Sequence, residues 1–505
     1  MKQPPQPNFL IIMADQMSAP ALPFYGHPLV QTPHLSALAA TGVVFDNAYC
    51  NSPLCAPSRA ALMTGQLPSH TGVYDNAAEL PASIPTFAHY LRVAGYQTCL
   101  AGKMHLIGPD QLHGFEERLT TDIYPADFGW TPNWDEPHVR LPWYHNMASV
   151  VQAGVCVTTN QLDFDEAVTF HAVRKVYDLA RSRDPRPFCL TVSFTHPHDP
   201  YAIAQEYWDR YDHATINPPT VAPLPTEQLD PHSRRLRQMS AMDEQPLTEA
   251  QIRNARHAYY GAISYVDDKV GQLLHALQTT ELDANTVIIF TSDHGDMLGE
   301  RGLWYKMSFF EWAARIPLLF HAPERFAPQR VTQNVSLVDL LPTLVELATG
   351  TLVAPVDGHS LVPLLHGNAT DWPDTVLSEY LAEGVVAPCL MRLQGNYKYI
   401  FNEFDPPQLY DLQIDPHEVN NLAGQDVYAA LLREFTTAVY QAWQPALLRQ
   451  QVISSQRQRR LVDAALRAGR FTAWDFQPFQ DASGMYMRNH LDLDDLEQQS
   501  RYPKV

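Results

Sequence analysis

Four polar residues come directly after two apolar segments of the chain. Asp15 and Gln16 end the segment "NFLIIMADQ", and Asp293 and His294 follow the segment "TVIIFTS". Both segments have the composition of buried strands, and open α/β sheets bind ligands beyond the carboxyl ends of their strands. If the strands are neighbours, the four side chains converge on a hard divalent cation, most readily Ca²⁺, with Mg²⁺ or Mn²⁺ as alternatives. For either acid alone, a helix cap or turn is the competing interpretation.

Cationic and imidazole side chains follow other predicted strands. The segment "LAGKMHLIG" presents Lys103 and His105, "SFTHPHDPY" presents His198 between two prolines, and "GLWYKMSFFE" places Lys306 among aromatic residues. An ammonium group buried without a partner is costly, so Lys306 implies an anion beside it. Together with Arg59, these residues predict a site that holds a tetrahedral oxyanion ester and stabilises charge on its oxygens. Solvated cations on ordinary loops are the alternative for Lys103 and His105.

Cys55 begins the segment "CAPSR", which precedes a predicted helix. A thiolate nucleophile normally needs a histidine or a helix N-terminus, and Arg59 cannot act as a base. The anion cradle of a cysteine phosphatase would be interrupted by Pro57, which has no N–H group. A buried, unreactive cysteine is the common alternative, but it does not account for Pro57 and Arg59 at this spacing.

The segment "CAPSR" resembles the C-x-P-S-R signature of type I sulfatases, a family of the alkaline phosphatase superfamily. In that family the cysteine is oxidised after translation to Cα-formylglycine, so the resemblance implies a maturation enzyme that converts Cys55. The resemblance extends in chain order to the metal and active-site motifs, at Asp15 and Gln16, Lys103 and His105, His198, Asp293 and His294, and Lys306. Gln16 departs from the second aspartate that the family usually carries.

The resemblance also implies a role for each of these residues. The implied metal ligands are Asp15, Gln16, Cys55, Asp293 and His294, and the implied catalytic residues are Cys55, Arg59, Lys103, His105, His198 and Lys306. A hydroxyl of the aldehyde hydrate at position 55 attacks sulfur, and His198 or Lys306 gives a proton to the leaving alcohol. His105 then acts as the base that releases sulfate.

Within that family the chain resembles the choline sulfatase group over nearly its whole length, including the tail segment "WDFQPFQDAS". This implies choline-O-sulfate as the substrate. A quaternary ammonium carries no N–H group, so aromatic faces and carboxylates recognise it. We expect Trp130 to supply the aromatic face, Asn76 to hold the sulfate or ester oxygen, and Asp492 or Asp494 to complete the cage. A packed loop aromatic is the alternative for Trp130, and a solvated charge run is the alternative for the tail acids.

Three other functions stay open. The chain could be a phosphonate monoester or phosphodiester hydrolase of the same superfamily, or a sulfatase for other alkyl or aryl esters. A non-catalytic metal- or sulfate-binding protein with an unmodified Cys55 is the alternative of another class.

Composition narrows the class of protein further. The net charge of -20 over 505 residues argues against nucleic acid as a partner, and a zwitterionic substrate is compatible with it. No segment reaches the roughly 20 apolar residues that a membrane span needs. The six cysteines form no C-x-x-C pair and no dense framework, so we expect a cytoplasmic protein without a disulfide scaffold.

The order of the strands and helices that must position these residues indicates an α/β protein. Apolar strands alternate with amphipathic helices over residues 1–370, which predicts a large, mixed, mostly parallel sheet sandwiched by helices, as in alkaline phosphatase. Residues 371–455 predict a small antiparallel sheet with one long helix, "VYAALLREFTTAVYQAWQPALLRQ". Residues 456–505 form a tail that we expect to pack on a neighbouring subunit of a dimer or tetramer. Gly42, Gly65 and Gly95 are predicted to end helices in the left-handed conformation.

Overall fold

A computed structural model describes residues 6–471 and 473–476 of the chain. Its strands are β1 Asn8–Asp15, β2 Val43–Tyr49, β3 Gln97–Gly102, β4 Glu117–Arg118, β5 Gly154–Cys156, β6 Phe188–Pro197, β7 Ala202–Ala204, β8 Thr286–Ser292, β9 Arg315–Ile316, β10 Leu318–His321, β11 Gln329–Ser336, β12 Thr375–Tyr380, β13 Cys389–Gln394, β14 Tyr397–Phe401 and β15 Gln408–Asp411. Its α-helices are α1 Pro33–Thr41, α2 Cys55–Thr64, α3 Pro68–Thr71, α4 Phe87–Val93, α5 Ala148–Val151, α6 Asn160–Arg181, α7 Gln205–Trp208, α8 Pro231–Met239, α9 Glu249–Thr279, α10 Glu311–Ala314, α11 Leu340–Leu347, α12 Val362–Leu365, α13 Ala429–Ala442 and α14 Pro445–Arg467.

The large sheet is mixed and mostly parallel, as predicted. Its order is β11-β2-β10-β8-β1-β6-β3-β4, with β9 paired on β2. Strand β1 lies between β8 and β6 and is parallel to both, while β10 is antiparallel to β8 and β2. The interior of β1, from Phe9 to Ala14, is at most 1% exposed, which fits its continuous apolar run. Helices α6 and α9 pack on β6, and α4 packs on β3.

The strand register brings the predicted site residues together. Ala14 of β1 pairs with Ser292 of β8, so Asp15 and Asp293 follow at the same edge of the sheet. On the other side of β6, Gly102 pairs with Ser193, which places Lys103 near that edge. The prediction that two strand ends converge is therefore confirmed.

The smaller sheet has the order β12-β13-β14-β15 and is antiparallel throughout. Buried charges tie it to α10, the helix that precedes β9 of the large sheet. Lys398 of β14 donates to Glu311 of α10 at 2.7 Å and to Glu418 at 2.8 Å. The Asn51 carbonyl also accepts a hydrogen bond from Glu379 N at 2.9 Å. These contacts hold the small sheet against the part of the molecule that carries the site.

Two local predictions were wrong. The long helix predicted over 427–450 is two helices, because the chain becomes extended at Trp443 and Pro445 then starts α14. Gly42 is extended rather than left-handed, and it is glycine because an added Cβ would lie 2.5 Å from the Phe320 carbonyl oxygen. Gly65 and Gly95 are left-handed as expected. The boundary proposed at 455/456 falls inside α14.

In the part of the chain that is described, every helix is too short or too polar to cross a membrane.

Candidate active site

Cys55 is the first residue of α2 and is 1% exposed. Its Sγ lies 3.3 Å from His294 Nε2 and 3.9 Å from Asp15 Oδ1. Burial raises the pKa of the thiol, but the charges of Lys103, Lys306 and His294 outweigh it and hold the pKa well below its usual range. Residue 55 therefore lies in a strongly electropositive position at a helix N-terminus.

Arg59 connects the acids Asp15 and Asp293 to the loop that follows β3. It lies one turn after Cys55 on α2 and is fully buried. Its Nη2 donates to Asp15 Oδ2 and its Nε donates to Asp293 Oδ2, both at 2.8 Å. Its Nη1 donates to the Lys103 carbonyl at 2.6 Å. With all three of its nitrogens bonded to protein, Arg59 fixes the two carboxylates rather than presenting itself to a ligand.

A metal ion fits the cluster formed by Asp15, Cys55, Asp293 and His294. One ligand atom from each residue lies within 4.8 Å of the others, and all four residues are buried. Burial and Cys55 raise the pKa of Asp15, but Lys103 and Arg59 lower it well below its usual range, so the carboxylate is ionised. The two carboxylates match the oxygen donors that a hard divalent cation takes, whereas the Cys55 thiol is a softer ligand.

Gln16 lies against this cluster in a left-handed conformation, with φ of 63°. Its amide oxygen accepts a hydrogen bond from Lys306 Nζ at 2.7 Å, and its amide nitrogen donates to Asp296 Oδ2 at 2.7 Å. Asp296 belongs to the same "SDHGD" segment as Asp293, and the sequence analysis gave it no role in the site. The role of Gln16 as a metal ligand stays a prediction.

His198 and Lys306 form a buried pair. Nδ1 of His198 lies 2.8 Å from the Asp199 carbonyl, which can only accept, so that nitrogen carries the proton. Nε2 is then the acceptor for Lys306 Nζ at 2.7 Å. Burial lowers the pKa of Lys306, but Cys55, Asp199 and Asp15 raise it, so the ammonium keeps its proton.

The neighbouring His196 does not reach this site. It points to Asp165, with Nδ1 and Oδ2 2.7 Å apart. Of the two histidines in "THPHDPY", the structure therefore places only His198 among the site residues.

Lys103 and His105 lie on the loop that follows β3. Lys103 forms an ion pair with Asp15, and its Nζ lies 4.3 Å from the centre of the Tyr124 ring. His105 is 3% exposed, its φ is 57°, and neither ring nitrogen has a hydrogen-bond partner among the described residues. Asp122 holds this strained turn by accepting a hydrogen bond from the His105 N–H at 2.8 Å. The unpaired imidazole is therefore available to a ligand.

Trp130 belongs to an aromatic wall that we define as Tyr124, Trp130 and Trp143. The Trp130 ring centre lies 5.3 Å from Tyr124, 6.5 Å from Trp143 and 6.0 Å from His105. Trp130 is thus beside the predicted catalytic residues, as expected for a substrate contact. Asn76 contacts the first turn of α2, because its side-chain oxygen accepts a hydrogen bond from the backbone N–H of Ala56 at 2.9 Å.

Glu383 is a buried acid that sequence reasoning missed. Burial raises its pKa to about 7, and the charge of Asp75 raises it further. Lys306 lowers the same pKa and Cys55 raises it. The Trp134 indole donates to the adjacent Ala382 carbonyl at 2.7 Å, which ties the Glu383 turn to the Trp130 loop. No sequence signal distinguished Glu383, because it lies in a turn of the small-sheet region. The tail acids Asp492 and Asp494 lie outside the described residues.

Comparison with known proteins identifies the family. The family model described as "Sulfatase" matches residues 7–351, "N-sulphoglucosamine sulphohydrolase, C-terminal" matches residues 299–444, and "Choline sulfatase enzyme C terminal" matches residues 450–502. A choline-sulfatase of Rhizobium meliloti is 48% identical, with 99% of each chain covered. An arylsulfatase K of Gallus gallus is 31% identical, with 83% of this chain and 79% of the relative covered.

Solved structures share the fold. A phosphonate monoester hydrolase of Agrobacterium radiobacter superposes with a TM-score of 0.71 at 24% identity, covering 88% of this chain and 96% of that one. A putative sulfatase of Bacteroides thetaiotaomicron gives a TM-score of 0.66 at 25% identity, covering 87% and 95%.

The mostly parallel sheet and the buried acid and cation cluster at its strand ends define a hydrolase of the alkaline phosphatase superfamily. Within that superfamily the chain belongs to the sulfatase family, and it is a sulfatase enzyme. A non-catalytic binding protein, which the sequence had left open, is therefore not what this chain is.

Proposed function

We propose that this sulfatase hydrolyses choline-O-sulfate to choline and sulfate. The observation that carries the proposal is the combination of an aromatic wall and a buried acid, Glu383, beside a cationic oxyanion site. Aromatic faces and a carboxylate bind a quaternary ammonium, and lysines and imidazoles bind a sulfate group. Full-length similarity to a relative named choline-sulfatase supports the same substrate.

The cationic half of the site would hold the sulfate group. Lys103, Lys306 and His105 surround position 55, and the ring nitrogen of His105 that carries the proton has no partner among the described residues and can donate to a sulfate oxygen. Arg59 keeps Asp15 and Asp293 in place. We propose that Asn76 contacts a sulfate or ester oxygen while it keeps its hydrogen bond to the first turn of α2.

Two groups would complete the chemistry. A divalent cation, most readily Ca²⁺, would be held by Asp15, Asp293, His294, Gln16 and residue 55, and Cα-formylglycine would form from Cys55 through a maturation enzyme. When bound, the cation supplies positive charge, and the hydrated aldehyde supplies a nucleophilic hydroxyl with a second hydroxyl for regeneration.

The protein's own residues would move the protons. Lys306 lies between His198 and Gln16 and carries a proton that it can pass to the departing alcohol oxygen, directly or through His198. Burial lowers the pKa of His105, so its imidazole is neutral at pH 7 and can act as a base.

Kinetics on three substrates test the proposal. We expect kcat/KM for choline-O-sulfate to exceed that for 4-nitrophenyl sulfate and for a phenylphosphonate monoester by at least tenfold, or about 1.4 kcal/mol. A preference for the phosphonate would instead support the phosphonate hydrolase alternative. A preference for the aryl sulfate would support a general sulfatase.

Three organisational proposals accompany this function. Residues 1–370 would form the catalytic domain, 371–455 a subdomain, and 456–505 a tail that joins copies of the chain into a dimer or tetramer. Light scattering of chains with and without residues 477–505 would show a change in molar mass. An unchanged mass would contradict the tail's role. A cytoplasmic location fits six cysteines that form no disulfide within the described chain, and fractionation of the source cells would check it.

A further inference from the structure

A cavity separate from the active site is lined by residues that have no role in the proposed chemistry. Its volume is about 380 Å³, which is in the range of small-molecule sites. Much of the lining is apolar or aromatic, including Tyr25, Val221, Met297, Phe310 and Trp312. His27 also lines it, and burial lowers the pKa of that imidazole to about 4, so the ring is neutral at pH 7.

Arg301 is a buried cation in the wall of this cavity. It is 6% exposed, and its guanidinium lies 4.2 Å from the centre of the Phe310 ring. Nη1 donates to the Glu418 carbonyl at 2.7 Å, but Nε has no partner among the described residues. Within the same part of the chain, Arg301 forms no ion pair with a carboxylate. A buried charge without a counter-ion is costly, so this arginine implies an anion.

The carboxylates that line the cavity cannot serve as that anion, because each already has partners. Glu300 binds two backbone N–H groups and Arg256, Glu311 binds Lys398 and Arg315, and Glu418 binds Lys398 and the Glu311 N–H. Arg315 also lines the cavity, and its Nε is likewise without a partner among the described residues. The unsatisfied donors in this wall are therefore cationic.

We propose that this cavity binds a small organic anion through Arg301. A carboxylate or another planar or tetrahedral oxyanion would accept from Nε, with Arg315 as a second donor. The apolar part of the ligand would pack on Phe310 and Trp312. The site does not depend on the choline specificity proposed above, because it shares no lining residue with the aromatic wall.

The site is connected to the active site through one loop. Met297 N donates to the Tyr305 carbonyl at 2.5 Å and Gly299 N donates to the Leu303 carbonyl at 2.9 Å, so the segment folds back on itself. Arg301 lies at the turn and Lys306 follows five residues later. An anion that pairs with Arg301 thus binds the segment that carries a proposed proton donor.

Crystals of the full-length protein soaked in 4-iodobenzoate test the proposal directly, because iodine locates the probe by anomalous scattering. We expect iodine in the cavity, with the carboxylate within hydrogen-bond distance of Arg301 Nε. Absence of iodine from the cavity would overturn the proposal. Density for the chain's own tail in the cavity would overturn it as well.

Calorimetry with 4-iodobenzoate compares the wild type with matched variants. We expect Kd to rise at least tenfold in Arg301→Gln and in Val221→Trp, which narrows the cavity without changing a charge. Arg457→Gln removes an exposed arginine elsewhere and should bind as the wild type does. Unchanged Kd in both cavity variants would overturn the proposal, and Val221→Trp decides alone if Arg301→Gln does not fold.

Discussion

Among single residues, Cys55 has the largest consequence for function. The thiol lies at a helix N-terminus between cations, and these features alone would favour a reactive thiolate. Membership of the sulfatase family favours a different outcome, in which the thiol is the precursor of an aldehyde. A thiol and an aldehyde at position 55 differ in mass, and the two mechanisms respond differently to substitution of Cys55.

We predict that active preparations carry a residue 55 about 18 Da lighter than cysteine, as expected for oxidation of the thiol to an aldehyde. Cys55→Ser should lose multiple turnover, because a serine hydroxyl leaves no second hydroxyl for regeneration. Peptide mass spectrometry and steady-state kinetics on the same sample provide the two readings. Full turnover by a preparation with unmodified cysteine would contradict the proposed chemistry.

Glu383 gives a pH-dependent prediction. Burial raises its pKa to about 7, so the carboxylate is ionised above pH 7 and protonated below it. We predict that Glu383→Gln raises KM for choline-O-sulfate by about tenfold at pH 8, equivalent to about 1.4 kcal/mol. At pH 5.5, where the wild-type carboxyl is already neutral, the two KM values should approach each other.

The neutral aryl ester 4-nitrophenyl sulfate is the control for Glu383→Gln. Its KM should respond little to the substitution at either pH, since it carries no ammonium group. An equal effect on both esters would place Glu383 outside the ammonium site.

Residue-level prediction from sequence succeeded where a residue follows a recognisable strand. Asp15 and Asp293 could be placed together because strand ends meet at one sheet edge, and the structure confirms that. Glu383 and Asp122 could not be found, because their importance depends on burial and on contacts with distant segments. Their local sequences look like ordinary turns.

Among the elements, helix α14 supports the active site from a distance. Arg459 of α14 donates to both carboxylate oxygens of Asp75 at 2.7 Å, and both side chains are largely buried. Asp75 precedes Asn76, which accepts the Ala56 N–H beside Cys55. The side-chain oxygen of Gln456 in the same helix accepts a hydrogen bond from the backbone N–H of Trp134 at 2.9 Å. Helix α14 is therefore linked both to the segment that contacts α2 and to the Trp130 loop.

We predict that Arg459→Ala lowers the free energy of unfolding by about 3–5 kcal/mol, because it leaves Asp75 as an unpaired buried charge. Urea unfolding measures this. Arg457→Ala is the matched control, since the Arg457–Asp135 pair is exposed and should contribute little. Equal effects of the two substitutions would show that the buried pair does not stabilise the fold.

The sequence predicted the elements better than their contacts. The alternation of apolar strands and amphipathic helices identified the large sheet, and the turn-linked strands after Thr375 identified the small one. The Arg459–Asp75 pair spans 384 positions, and no periodicity indicates it. The proline at 445 marked the split of the predicted long helix, but the apolar pattern continued across it and hid the break.

At the scale of the whole molecule, a net charge of -20 contrasts with a site that is rich in cations. Lys103, Lys306 and Arg59 are buried at the strand ends, so the local field around position 55 is not that of the surface. A zwitterion suits this arrangement, since in the proposed complex its sulfate would contact the cations and its ammonium would contact Glu383 and the aromatic wall. We therefore propose that the enzyme recognises the positive charge of its substrate.

The most direct test compares choline-O-sulfate with 3,3-dimethylbutyl sulfate, which has the same shape but a carbon in place of the ammonium nitrogen. An aromatic cage with a carboxylate contributes about 1–2 kcal/mol to binding a desolvated cation. We therefore predict that kcat/KM is at least tenfold higher for choline-O-sulfate at pH 8, which corresponds to about 1.4 kcal/mol. Equal kcat/KM for the two esters would contradict recognition of the ammonium group.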